Sequence, residues 1–86
     1  MGQSQELDQL TLDISTYFDK ARLEMKNNEF ALACESFKKV RNLTIELRYW
    51  ARMLEEQPLI DYCEKKLREI QLNGAFCKRR INENLI

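Results

Sequence analysis

The sequence contains no histidine, and it has only two glycines and one proline among its 86 residues. Without histidine, the chain lacks the usual general base, the Ser–His and Cys–His nucleophile pairs and the commonest transition-metal ligand. With so few glycines, it has no glycine-rich loop that would hold a phosphate group. We therefore expect that the protein is not an enzyme and that it uses no cofactor or metal.

The chain also lacks close-set cysteine pairs and long apolar runs. Its three cysteines, Cys34, Cys63 and Cys77, are too widely spaced for the close-set pairs that bind zinc, and an odd number leaves one thiol unpaired. The first ten residues lack the basic start and apolar run of a signal peptide, and no apolar segment approaches the roughly 20 residues that span a membrane. We expect inert core thiols and a cytoplasmic, reducing location.

The overall charge balance limits the classes of partner. The chain carries 14 basic and 14 acidic residues, so its formal charge is zero, which argues against a general polyanion binder. Hydrophobic residues make up 44% and charged residues 33%, a composition that suits a helical bundle and is too apolar for a disordered chain. The length suits a single domain over residues 1–86, with 1–3 and 85–86 expected to fray.

The longest uninterrupted apolar pattern runs from Glu29 to Glu56. Apolar residues recur there at steps of three or four, which predicts one face of an α-helix. They are Phe30, Ala33, Phe37, Val40, Leu43, Leu47, Trp50 and Leu54. One step of three too many, from Val40 to Leu43, should shift this face around the helix. We expect its N-terminal half to pack on the first helix and its C-terminal half to turn towards the third.

A first helix is predicted over residues 4–26 by the same periodicity. Ser4 suits the N-cap position, where its hydroxyl would accept a hydrogen bond from a free amide of the first turn. Asn27-Asn28 follows the helix; the first asparagine can take the left-handed conformation that closes a helix, and the second can cap the next one.

A third helix is predicted over residues 59–83. Pro58 should end the second helix at Glu56 or Gln57, and it suits the first turn of the third. Asn73-Gly74 is the weak point of the third helix, but the apolar register continues across it, so we expect one continuous helix. The predicted fold is all-α, an antiparallel three-helix bundle with helices at about 4–26, 29–56 and 59–83.

The segment around Arg48-Tyr49-Trp50-Ala51-Arg52 is the best candidate for a partner-binding site, because Tyr, Trp and Arg are enriched at binding hot spots. Helical geometry places Ile45, Tyr49 and Arg52 on a face beside the core. We predict Ile45, Arg48, Tyr49 and Arg52 as partner-binding residues. The alternative is that Trp50 belongs to the core and Tyr49 is half-buried under the third helix.

Five further large apolar residues fall outside the predicted core faces, namely Leu12, Leu23, Leu32, Ile45 and Leu72. A three-helix core does not need them, so they suggest a second apolar surface. That surface would bind a partner helix or a second copy of the chain, which makes a homodimeric structural protein an alternative function.

A basic cluster, Lys78, Arg79 and Arg80, lies near the end of the third predicted helix. It is a candidate for contact with nucleic acid or an acidic membrane surface. Cations at this position also commonly stabilise a helix C-terminus or stay solvated.

Residues 17–40, YFDKARLEMKNNEFALACESFKKV, resemble a tetratricopeptide helix pair. Ala21 stands at the small position of the first helix of such a pair, and Phe30, Ala33, Phe37 and Val40 stand at positions of the second. With three longer helices, the arrangement is similar to the microtubule-interacting-and-trafficking (MIT) domain. This resemblance implies a helical module that binds other proteins.

Residues 33–43 (ACESFKKVRNL) and 47–56 (LRYWARMLEE) resemble the C-terminal helical domain of J-type co-chaperones for iron–sulfur cluster assembly. That domain binds the cluster scaffold protein, so the resemblance implies a chaperone role. Both resemblances agree with the expected function: a non-enzymatic adaptor, co-chaperone or assembly factor that binds a partner helix or peptide.

Overall fold

The computed structural model describes residues 2–84, which form three α-helices, α1 (Gly2–Lys26), α2 (Phe30–Met53) and α3 (Gln57–Asn84). α1 packs on α2 and α2 packs on α3. Each connection is only three residues long, so consecutive helices run antiparallel. The bundle is elongated, about 51 × 17 × 14 Å. The predicted all-α three-helix architecture is confirmed.

α1 begins at Gly2, two residues earlier than predicted, so Gly2 and Gln3 are helical. Ser4 therefore lies inside the helix, and its prediction as the N-cap is wrong. The fraying predicted for Met1 and for residues 85–86 lies outside the described residues. The predicted end of α1 at Lys26 is confirmed.

The connection between α1 and α2 is a Schellman motif. Asn28 takes the left-handed conformation (φ 64°), and the amide of the next residue, Glu29, donates to the carbonyl of Glu24 at 2.8 Å. The sequence predicted the left-handed residue one position too early and the cap at Asn28. The N-cap of α2 is instead Glu29, whose side chain makes no capping hydrogen bond.

A second Schellman motif ends α2 at Met53, three residues before the predicted end. Glu55 is left-handed (φ 55°), and the amide of Glu56 donates to the carbonyl of Ala51 at 2.9 Å. Pro58 occupies the first turn of α3, as predicted, but it does not set the end of α2. The early stop comes from the left-handed glutamate.

α3 is continuous through Asn73-Gly74, as predicted. The side-chain amide of Asn73 donates to the carbonyl of Glu69 at 2.8 Å, one turn earlier in the helix. A Cβ atom added to Gly74 would meet nothing within 4 Å. The chain's own packing therefore does not require glycine at this position.

The core of the bundle contains aromatic, aliphatic and thiol side chains. Its buried members are Ile14, Phe18, Ala21, Phe30, Ala33, Phe37, Val40, Leu47, Cys63, Ile70 and Cys77. Phe37 packs edge-to-face on Phe18 of α1, with ring centroids 5.8 Å apart, which agrees with the packing predicted for this half of α2. Phe30 instead packs against Phe76 of α3, at 6.1 Å.

The packing predicted for the C-terminal half of α2 is wrong for two residues. Trp50 and Leu54 are 39% and 41% exposed, and they face α1 rather than α3. The fully buried residues in this half are Thr44, Leu47 and Ala51. The buried face of this half therefore includes the small residues Thr44 and Ala51, which the pattern of large apolar side chains did not indicate, together with the predicted Leu47. Thr44 is accommodated because its hydroxyl donates to a backbone carbonyl one turn earlier, at 2.7 Å.

Candidate partner-binding groove

An open groove of about 670 Å³ lies between α2 and α3, and we call it the α2–α3 groove. Apolar side chains such as Phe37, Leu67 and Ile70 form its floor. The full lining is Cys34, Phe37, Lys38, Arg41, Ile45, Arg48, Leu67, Ile70, Gln71, Gly74, Ala75 and Lys78.

The shape of the groove follows from helical spacing on its two walls. On α2, lining residues recur from Cys34 to Arg48, a distance of about 21 Å at 1.5 Å per residue. On α3, the opposite wall includes Gly74, which has no side chain, and Ala75, which has only a methyl group, so the groove is open beside the helix backbone. A segment of about four helical turns matches this length.

All charged side chains that line the α2–α3 groove are cations, namely Lys38, Arg41, Arg48 and Lys78. Lys38 lies 3.6 Å from Glu35 in an exposed ion pair. The other three cations form no ion pair within residues 2–84. The groove therefore combines an apolar floor with a cationic rim.

Arg48 is only partly exposed, and it lies near the buried thiol of Cys63. Burial raises the pKa of Cys63 to about 11, and the positive charge of Arg48 acts in the opposite direction. A partly buried guanidinium without a carboxylate is less stabilised than one that is paired. Arg48 is therefore a partly buried cation of the groove lining with no ion pair among the described residues.

The structure separates the four residues predicted to bind a partner. Ile45 and Arg48 line the groove. Arg52 lies one turn further along α2 and pairs with Glu64 of α3 at 3.7 Å, which bridges the two helices beyond that end of the groove. Tyr49 does not line the groove; it is 57% exposed and packs edge-to-face on Trp50 with ring centroids 5.4 Å apart. The alternative of a core Trp50 and a half-buried Tyr49 is wrong.

The basic cluster is also divided, because consecutive residues on a helix point about 100° apart. Lys78 lines the α2–α3 groove. The guanidinium of Arg80 lies 5.4 Å from the centre of the Phe30 ring and 3.7 Å from the carboxylate of Glu83. Arg79 is exposed and does not line the groove. The three cations do not form one patch.

Of the five apolar residues outside the predicted core faces, only Ile45 lines the α2–α3 groove. The other four are 52% to 73% exposed and are distributed over α1, α2 and α3: Leu12, Leu23, Leu32 and Leu72. Single exposed leucines are ordinary on protein surfaces.

Sequence reasoning missed Lys38 and Arg41 of α2 and the small residues Gly74 and Ala75 of α3. One signal for the α2 wall was present, because Lys38, Arg41, Ile45 and Arg48 follow steps of three, four and three. These steps place them on one helical face beside the core. The α3 wall gave no such signal before the two helices were placed together.

A second pocket, of about 320 Å³, lies between α1 and α2 near the α2 C-terminus. Its apolar lining is Leu7, Leu10, Trp50 and Leu54, and its charged lining consists of the carboxylates Glu6, Asp13 and Glu46. We call it the acidic pocket. It lies on the other side of α2 from Arg48, so α2 separates two apolar depressions of opposite charge.

Two of the three thiols lie in the core. Cys63 and Cys77 are buried, and burial, with Cys34 beside the second thiol, raises the pKa of Cys77 to about 11. The neutral thiols are therefore favoured at neutral pH. Within residues 2–84, no group of three His, Cys, Asp or Glu side chains is placed to hold a metal ion. No helix in the same range is long and apolar enough to cross a membrane.

Comparison with known proteins adds no relationship to this geometry. The sequence matches no protein-family model, and no curated protein or solved structure is significantly similar to it.

Proposed function

We propose that this protein is a non-enzymatic adaptor, co-chaperone or assembly factor that binds a helix of a partner protein in the α2–α3 groove. The observation that carries this function is the groove itself, an exposed channel with an apolar floor about four helical turns long. Docking an amphipathic helix into such a groove is a common mode of peptide recognition.

Two features support this function. Ile45 and Arg48, chosen from the sequence as partner-binding residues, both line the groove. The small residues Gly74 and Ala75 leave room for another backbone to approach α3 closely. The resemblances to tetratricopeptide, MIT and J-type co-chaperone modules stay predictions. A reducing, cytoplasmic location belongs to the same proposal, supported by the free thiols of Cys34, Cys63 and Cys77.

The test is a titration of ¹⁵N-labelled protein with a designed 15-residue amphipathic peptide, stapled to hold it helical, with a Leu/Ala apolar face and uncharged Gln elsewhere. We expect chemical-shift changes to map to the groove lining, including Ile45 and Ala75. Ile45→Asp should abolish these changes, whereas Leu72→Asp, an equal change at an exposed position outside the groove, should not. Shifts confined to the acidic pocket or spread over the surface would refute this function.

A further inference from the structure

On the basis of the function proposed above, we infer that the helix bound in the α2–α3 groove is an acidic amphipathic helix. Its apolar face would lie on the groove floor, and its carboxylates would flank that face on both sides. The carboxylates would meet Arg41 and Arg48 on the α2 wall and Lys78 on the α3 wall.

The charge of the groove carries this inference. Four cations and no carboxylate line it, although the chain as a whole has equal numbers of acidic and basic residues. Arg41, Arg48 and Lys78 form no ion pair within residues 2–84, so their charges are available to a ligand. Complementary charge of this kind fixes the register of a bound helix and rejects basic competitors.

The apolar floor favours a protein helix over a nucleic acid. Ile45, Leu67 and Ala75, which are partly or fully exposed on the groove lining, would bury against leucine-like side chains, and phosphate groups offer them nothing comparable. Binding of single-stranded nucleic acid uses exposed aromatic rings on which bases stack. The groove lining includes one aromatic residue, Phe37, which is only 2% exposed.

Gly74 provides an independent observation. Glycine in the middle of a helix destabilises it relative to alanine. A methyl group at this position would nevertheless meet no atom within 4 Å, apart from its chain neighbours and the nearby backbone of its own helix. The free space lies on the groove lining, where a bound helix would pass close to α3. A partner helix that approaches the backbone at Gly74 would account for a glycine at this position.

Three stapled 15-residue peptides that share one Leu/Ala face test this inference. Their remaining positions are all Glu in the Glu peptide, all Gln in the Gln peptide and all Lys in the Lys peptide. We expect the Glu peptide to bind in the groove roughly tenfold more tightly than the Gln peptide at about 50 mM salt, from several exposed ion pairs acting together. The Lys peptide should bind most weakly. The ratio of Glu to Gln affinities should fall towards one at about 1 M salt, where the Debye length is about 3 Å.

Charge-reversal variants locate the effect. Arg41→Glu/Lys78→Glu should remove the preference for the Glu peptide and favour the Lys peptide. Arg79→Glu/Arg68→Glu, the matched control, changes two exposed arginines that do not line the groove and should leave the preference intact. Gly74→Leu should weaken binding of the Glu and Gln peptides at least tenfold while the helical circular dichroism is retained.

The outcomes separate the two proposals. If the Gln peptide binds the groove as tightly as the Glu peptide, the function stands and the acidic partner is overturned. If none of the peptides shifts the groove residues, both are overturned. Tighter groove binding by a 12-nucleotide RNA than by the Glu peptide would also overturn the acidic helix. So would groove shifts that depend on protein concentration without peptide, which would identify a second copy as the occupant.

Discussion

Replacing Gly74 with alanine should stabilise the free protein. Gly74 is the eighteenth of the 28 residues of α3, far from either helix end, and it has no positive φ. Its added methyl group would extend towards the α2–α3 groove and meet no atom within 4 Å, apart from its chain neighbours and the nearby backbone of its own helix. The change therefore alters helix propensity without creating a clash.

The magnitude follows from the propensity difference. Glycine is about 0.8–1.0 kcal/mol less favourable than alanine inside a helix. An unfolding entropy of about 2.1 cal/mol/K per residue, over 86 residues, converts 0.9 kcal/mol to a rise in Tm of about 5 °C. No compensating loss is expected, because the site has no packing neighbour to displace.

Thermal and urea denaturation followed by circular dichroism at 222 nm measures this change. Ala75→Gly is the matched control: it makes the reverse substitution at the next residue of the same helix and should lower Tm by a similar amount. A Gly74→Ala variant that is no more stable than the parent, or less stable, would refute the reasoning. It would mean that the free chain needs glycine at this position, and Gly74 would then no longer point to a partner.

Further predictions concern the helix ends, the thiols and one polar contact. Glu55→Gly should raise the free energy of unfolding by about 1 kcal/mol in urea titrations, because glycine adopts the left-handed conformation of residue 55 without steric cost. Asn28→Gly should have a smaller effect, because asparagine already tolerates that conformation. Burial raises the pKa of the Cys63 and Cys77 thiols to about 11, from the ordinary thiol pKa of 9.0. Because the folded-state pKa is the higher one, the two thiols stabilise the protein fully below pH 9.0 and lose this contribution as the pH rises towards 11. Urea titrations at pH 7, 9 and 10.5 should show this fall, and the double alanine variant should show a shallower one; equal slopes would contradict the assignment. Ser36→Ala should cost about 1 kcal/mol in the same assay by removing the 2.6 Å hydrogen bond from its hydroxyl to a carboxylate of α1, and an unchanged midpoint would show that the bond contributes nothing.

The fold was largely predictable, because long helices reveal themselves through apolar periodicity. The three-to-four spacing of residues such as Phe37 and Val40 identified α2, and the unbroken register across Gly74 predicted a continuous α3. These features depend only on neighbours within one helix.

The errors arose where local sequence is compatible with more than one outcome. Glutamate is not the usual residue for a left-handed helix terminus, so the stop at Glu55 gave no sequence signal, and Pro58 offered a plausible but wrong one. The three-to-four spacing predicts Trp50 as a core residue, whereas Ala51 is the buried residue and the indole ring faces α1. Whether Trp50 or Ala51 is buried depends on how α2 packs against α1 and α3.

The candidate site was predictable only in part. Hot-spot composition points to Arg48 and helical geometry to Ile45, but neither separates them from Tyr49, which does not line the groove. The groove needs two walls, and Lys78 joins Arg41 only once α3 packs antiparallel to α2. A site formed between helices depends on their relative placement.

The separation of charge across α2 has a kinetic consequence. The α2–α3 groove is lined by cations, and the acidic pocket on the other side of the same helix is lined by carboxylates, so a chain of zero formal charge has an uneven electric field. An approaching acidic helix would be attracted from one side and repelled from the other before any contact forms. Its association rate should therefore exceed the rate expected for a neutral protein and decrease with added salt. Zero net charge is therefore compatible with electrostatic orientation of the proposed acidic helix during the encounter.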